Sequence, residues 1–164
     1  MRLEYFELLD KVEEVDLDGG TIRVSSTLPE RSPIFDGHFP AFPILPGVMM
    51  LEIMNQTAGF LVYMRYRQDR FVFLGGVKRA KFRRMVMPGA AIEARGTITH
   101  EGSGFHIAET SLRLNGEVAA DAEIVLIVQD FPSAEAKAGL ATRIAELGLT
   151  PLPMTAAAAG APAG

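Results

Sequence analysis

The chain has 164 residues, 48% of them hydrophobic, which suits one domain with a sizeable core. It contains no cysteine, so disulfides and thiolate chemistry are excluded, and its three histidines (His38, His100, His106) show no metal-ligand spacing, so no metal or other cofactor is expected. A net charge of −4 argues against nucleic acid as a partner, and the acid-rich N-terminal stretch lacks the apolar run of a signal peptide, so the expected compartment is the cytoplasm.

Residues 3–9 can form a short helix. Residues 12–17 and 21–28 alternate apolar and polar around Asp18-Gly19-Gly20, the pattern of a hairpin. Residues 29–46 carry Pro29, Pro33, Pro40, Pro43 and Pro46 and are expected to lack regular structure. Residues 48–64, VMMLEIMNQTAGFLVYM, predict a long helix whose only formal charge is Glu52. Pro46 suits its start, because the fixed φ is already helical and the missing N–H has no partner there. The segment is too short and too polar for a membrane span, which needs roughly 20 apolar residues. A helix that is apolar nearly all round is a buried one.

Strands follow at about 71–82, 91–100, 105–114 and 118–128. The breaks between them hold Pro88-Gly89, Glu101-Gly102-Ser103-Gly104 and Asn115-Gly116, and the Asn-Gly pair is a strong tight-hairpin signal. Residues 134–147 have the pattern of a terminal amphipathic helix, and the low-complexity stretch 151–164 is expected to be disordered. The expectation is one α+β domain over 1–150, an antiparallel sheet whose apolar face only the central helix can cover. Such a sheet leaves an edge strand and an apolar rim, so pairing with a second copy is expected.

The chemistry concentrates between 37 and 64. His38 sits in a loop stiffened by three prolines, and Glu52 lies 14 positions on, inside the apolar helix. Glu52, Asn55, Gln56, Gly59 and Tyr63 fall at i, i+3, i+4, i+7 and i+11 and draw one polar stripe along the helix. Burying an unpaired carboxylate costs several kcal/mol, so such a group pairs or takes up a proton. In the first case Glu52 bridges an arginine at a helix end; in the second it is a general acid. Imidazole and a carboxyl flanking one helix start favour the second. The Gly47 amide, in the unsatisfied and electropositive first turn, can hold a carbonyl oxygen as charge develops on it. Base, acid and oxyanion donor together describe proton abstraction beside a carbonyl with loss of a leaving group.

One stretch opposes the overall charge. Lys78, Arg79, Lys81, Arg83 and Arg84 pack five cations into seven residues. They are either a solvated strand edge that discourages aggregation or a docking patch for an acidic partner or a phosphate.

The run Gly37-His38-Phe39-Pro40-x-x-Pro43-x-x-Pro46-Gly47-Val48, with Glu52 and Gln56, resembles the FabZ-type 3-hydroxyacyl-[acyl-carrier-protein] dehydratases. The run Ala80-Lys81-Phe82-Arg83-Arg84-x-Val86-x-Pro88-Gly89 is similar to that family's second signature, and the likeness covers about residues 5–130. The resemblance implies the hot-dog fold and dimers, often joined into hexamers, with the histidine of one subunit facing the glutamate of the other. It implies that His38 removes the C2 proton, the Gly47 amide holds the thioester carbonyl, and Glu52 protonates the departing hydroxyl. Gln56 would orient Glu52, and Phe39 and Val48 would line the site. The implied partner is an acyl carrier protein, for which the basic segment 78–84 offers a docking place. The chain departs from the family at Ala41, where Gly is common, at Ile53 and Asn55, where Ala is common, and in lacking the Pro-His-Arg-x-Pro-Phe stretch. These departures suit a specialised branch. Two rivals remain: a hot-dog thioesterase, whose sites usually lack the His-Phe-Pro loop, and a silent acyl-binding subunit, which would have lost His38 or Glu52.

Overall fold

The computed structural model describes residues 1–146. Six strands, β1 (Lys11–Asp16), β2 (Thr21–Thr27), β3 (Phe71–Phe82), β4 (Ala91–Gly102), β5 (Phe105–Leu114) and β6 (Glu117–Gln129), form one antiparallel sheet in the order β1-β2-β4-β5-β6-β3. The turns follow their residues. Asn115 and Gly116 both take positive φ (52° and 79°), as the two-residue loop between β5 and β6 requires. Between β1 and β2, Gly20 has φ 65° and the Asp16 carboxylate accepts a hydrogen bond from the Gly19 N–H at 2.8 Å.

Each inner strand turns alternate side chains inward: Ile22 and Val24, Ile92 and Ala94, Ala108 and Leu112, Ile124 and Leu126 are all buried. Across this face lies α2 (Gly47–Arg65), with Ile53, Met54, Ala58, Leu61 and Val62 buried against the sheet. The approach is close at one point, where a Cβ on Gly96 of β4 would stand 3.3 Å from that of Ala58. A larger residue there would push the helix off the sheet. A sheet wrapped on one long central helix is the expected hot-dog fold, of α+β class. Among the described residues no helix is long and apolar enough to cross a membrane.

Two expectations need correction. The stretch 29–46 is not wholly irregular, because α1 (Pro33–Gly37) forms within it. Ser32 caps it, its Oγ accepting from the Ile34 N–H at 3.3 Å, and Pro33 occupies a first-turn position. Ser-Pro is a helix-start signal that the proline count obscured. The helix expected over 3–9 shrinks to a single 3₁₀ turn, Leu3–Tyr5, closed by Phe6 in a left-handed conformation (φ 56°). Helix α3 (Ala134–Glu146) matches its expectation over the described residues, while the stretch 151–164 lies outside them.

Candidate active site

His38 follows α1 directly and is half-buried. Its Nδ1 stands 3.1 Å from the Ile44 carbonyl oxygen, and the Ile44 N–H donates to the His38 carbonyl at 2.9 Å. A carbonyl can only accept, so Nδ1 carries the hydrogen and Nε2 of the neutral ring keeps its lone pair for a substrate. Phe39 and Phe42 exchange N–H···O bonds at 3.0 and 2.9 Å, and the Phe39 ring stacks on the imidazole at 4.2 Å. The His38–Phe39 peptide is cis. Ala41 sits at φ 63°, the region that favours glycine, so the departure from the family's Gly falls on a position where Gly fits better.

Gly47 opens α2. A Cβ there would press on the Phe82 ring at 3.4 Å, so the bare backbone lets the strand close over the helix start. One and a half turns on, Glu52 is half-buried and does not sit in the core as expected. It forms no ion pair with an arginine among the described residues. Two amides hold it instead: Asn55 Nδ2 donates to Oε2 at 3.0 Å and Gln56 Nε2 donates to Oε1 at 3.0 Å. Gln56 is itself anchored, Nε2 also donating to the Phe6 carbonyl at 3.1 Å. A carboxylate has about four acceptor sites, so each oxygen keeps one for a ligand.

The expected polar stripe is real, and it faces a pocket. Glu52, Asn55, Gln56, Gly59 and Tyr63 line a cavity of about 400 Å³, walled otherwise by apolar side chains of β3, β6, α3 and the N-terminal turn. Tyr63 is buried, its hydroxyl has no hydrogen-bond partner among the described residues, and burial pushes its phenol pKa up. His38 does not line this pocket. Phe39 borders a separate groove beside α1, whereas Val48, one helical turn before Glu52 on α2, is 73% exposed.

The basic segment lies on β3 and the turn after it, and most of its charge is answered. Lys78 pairs with Glu123 at 2.9 Å, Arg79 and Arg83 both pair with Asp121, and Arg84 pairs with Glu117. Lys81 has no ion pair among the described residues. Five cations therefore meet three carboxylates.

Two parts of the site escaped sequence reasoning. Asn55 was read as part of the polar stripe and as a departure from the family, but not as a holder of Glu52, although its position three residues on is the spacing at which helix side chains meet. The contribution of the Phe6 carbonyl to holding Gln56 left no sequence signal, since a backbone atom has none.

The FabA-like domain family matches residues 2–123. The chain is 36% identical over 125 residues to a 3-hydroxyacyl-[acyl-carrier-protein] dehydratase FabZ of Protochlamydia amoebophila, spanning 76% of this chain and 81% of the relative. It is 35% identical over 127 residues to the FabZ of Rickettsia felis, spanning 76% and 87%. Among solved structures, a thioesterase protein of Streptococcus pneumoniae, described as hypothetical and solved with coenzyme A, superposes with a TM-score of 0.60 at 10% identity, covering 80% of this chain and 97% of that one. A thioesterase of Haemophilus influenzae gives 0.57 at 12% identity, covering 76% and 80%. Identities this low show the fold alone. The matched domain spans the His38 loop, the Glu52 helix and five of the six strands, and the chain belongs to the FabA-like family, beside the FabZ dehydratases.

Proposed function

We propose that this chain removes water from 3-hydroxyacyl-acyl-carrier-protein in fatty acid biosynthesis, leaving a trans-2-enoyl thioester. The His38 Nε2 takes the proton from C2, and the electron pair of that C–H bond becomes the C2–C3 double bond. The C3–O bond breaks as the Glu52 carboxyl protonates the oxygen, directly or through a water, and water leaves. The Gly47 amide, in the first turn of α2, holds the thioester carbonyl oxygen as charge builds on it. The proton on His38 then returns to Glu52 through solvent. Gln56 and Asn55 act by positioning the carboxyl.

The observation that carries this reading is the 3.1 Å contact of His38 Nδ1 with the Ile44 carbonyl oxygen. That contact commits Nδ1, so Nε2 is a base with fixed direction. A hydrolase reading lacks such support, because the thioesterase likenesses are of fold only.

A complete site needs two copies of the chain. Within one copy the Glu52 pocket excludes His38, and apolar side chains around both remain open to solvent, Val48 at 73%, Met85 at 60% and Phe39 at 52%. Strand β3 is also an edge of the sheet, with Phe73, Val77 and Phe82 exposed. An edge this apolar calls for a cover, and a second copy joined about a two-fold axis brings one subunit's His38 to the other's Glu52. Three such dimers could join as a hexamer. The carrier protein would dock at Lys78–Arg84, chiefly through Lys81 and the two-charge excess of the segment.

Mixing two inactive variants tests the chemistry and the sharing together. His38→Ala and Glu52→Gln are each expected to abolish enoyl formation. Refolded as an equal mixture, they should regain about a quarter of wild-type activity, since half the dimers are mixed and each of those has one intact site. No recovery, with mixed dimers demonstrated, would place both residues in one chain's site. Activity in either variant alone would remove that residue from the chemistry.

A further inference from the structure

Helix α3 begins at Ala134, past the end of the matched family domain at residue 123, yet it supplies two walls of the pocket that holds Glu52. Leu140 and Ile144 both line that pocket, and Ile144 is buried. The rest of the helix is loosely attached: residues 134–139 are exposed, and the tie at this end is an ion pair from Lys137 to Asp69. Asp69 lies just beyond the C-terminal end of α2, so α3 is tethered at the end of α2 remote from Glu52. Glu52 and Tyr63, both on the pocket wall, are eleven residues apart, which is about 16 Å along the helix axis. The cavity therefore runs along α2, with Glu52 towards one end and α3 towards the other.

A second feature keeps that run open. Gly59 lies between Glu52 and Tyr63 on the same face, and among the described residues a Cβ there would meet no atom within 4 Å beyond its own stretch of helix. Packing does not demand glycine in this position. A glycine inside a helix weakens it, so the effect of this one is the space it leaves.

We propose that Leu140 and Ile144 of α3 are the end wall that limits acyl-chain length, with Gly59 keeping the passage to them clear. The ligand is the alkyl tail of the acyl thioester, an assignment that rests on the dehydratase reading above. The pocket's far part offers it apolar walls, and a tail too long for the space must displace α3 or be rejected.

The test compares kcat/KM for 3-hydroxyacyl thioesters of increasing length in the full chain, read as the ratio of each long substrate to the four-carbon one. Each further methylene that finds room is worth about fourfold in binding, or ~0.8 kcal/mol. The double variant Leu140→Ala/Ile144→Ala is expected to raise the ratio about tenfold for substrates two or more carbons beyond the wild-type optimum. Gly59→Leu is expected to lower it about tenfold for every long substrate. Calorimetric binding of saturated, non-reacting acyl-pantetheine thioesters to the same proteins gives the same ratios without turnover. Ratios within twofold of wild type in both variants, with folding checked by melting, would overturn the end wall. Absence of enoyl product from the wild type at every length would instead overturn the dehydratase reading, and the binding ratios would still decide the wall.

Discussion

Gln56→Met keeps the length and bulk of the side chain and removes its amide. Two hydrogen bonds go with it, to Glu52 Oε1 at 3.0 Å and to the Phe6 carbonyl at 3.1 Å. The second is exposed, so water replaces it at a cost of no more than about 0.5 kcal/mol. The first is partly buried and made to a carboxyl group, for which about 1–1.5 kcal/mol is reasonable after allowing for solvent. The total, about 1–2 kcal/mol, should lower the melting temperature by about 3–6 °C in a chain of this size. The larger effect falls on catalysis. With one of its two amide partners gone, the Glu52 carboxyl can rotate out of line with the leaving hydroxyl, and ~1.4 kcal/mol of lost alignment is tenfold in rate. The fall should appear in kcat with KM little changed, because the acyl tail and carrier contacts are untouched. Gln56→Glu, which restores polarity without a donor, should not rescue. Steady-state absorbance of the enoyl thioester measures it. A kcat within twofold of wild type, in a variant that melts several degrees lower, would show that Gln56 serves the fold and does not position the acid.

Other consequences follow from groups outside the clamp. His106 is buried on β5, with Nε2 3.1 Å from the Tyr66 hydroxyl and Nδ1 without a partner among the described residues; desolvation lowers its pKa, against a smaller opposing pull from Glu101. The unfolded chain therefore takes this proton first, and stability should fall as pH drops below about 6.5, by up to about 1.4 kcal/mol per pH unit until the folded histidine titrates. Urea unfolding from pH 7.5 to 5 should show that slope in wild type and a flatter one in His106→Gln; equal slopes would refute it. Ala41→Gly relieves a left-handed alanine and should stabilise by about 0.5–1 kcal/mol, read from thermal or urea melts; a destabilised variant would contradict the strain argument. Asp121→Asn frees Arg79 and Arg83 and should lower KM for a carrier-protein substrate about threefold at low salt, but not for the pantetheine thioester. An equal effect on both substrates would place carrier docking elsewhere.

What the sequence could disclose depended on how local the cause was. Asn115-Gly116 announces its hairpin because two positive φ values are needed within two residues. The stripe from Glu52 to Tyr63 was legible because helical periodicity puts those side chains on one face whatever surrounds them. The environment of that face was not legible. Glu52 read as a core carboxyl because its neighbours in sequence are apolar, whereas its neighbours in space are two amides and a cavity. The basic segment is another case. Its cations meet carboxylates 33 to 45 residues away, and only the β3–β6 register, which sets Lys81 opposite Asp121, brings the two together. The reach of α3 to the Glu52 pocket is longer still, and no periodicity in residues 134–146 encodes it.

The most direct measurement of the central claim is absorbance of the conjugated enoyl thioester formed from 3-hydroxyacyl-carrier-protein by wild type, His38→Ala and Glu52→Gln side by side. The account predicts product from the wild type and a loss of about a hundredfold to ten-thousandfold in each variant, since base and acid each act on the reacting atoms. Enoyl formation that survives in either variant, or release of free thiol in place of enoyl product from the wild type, would contradict it.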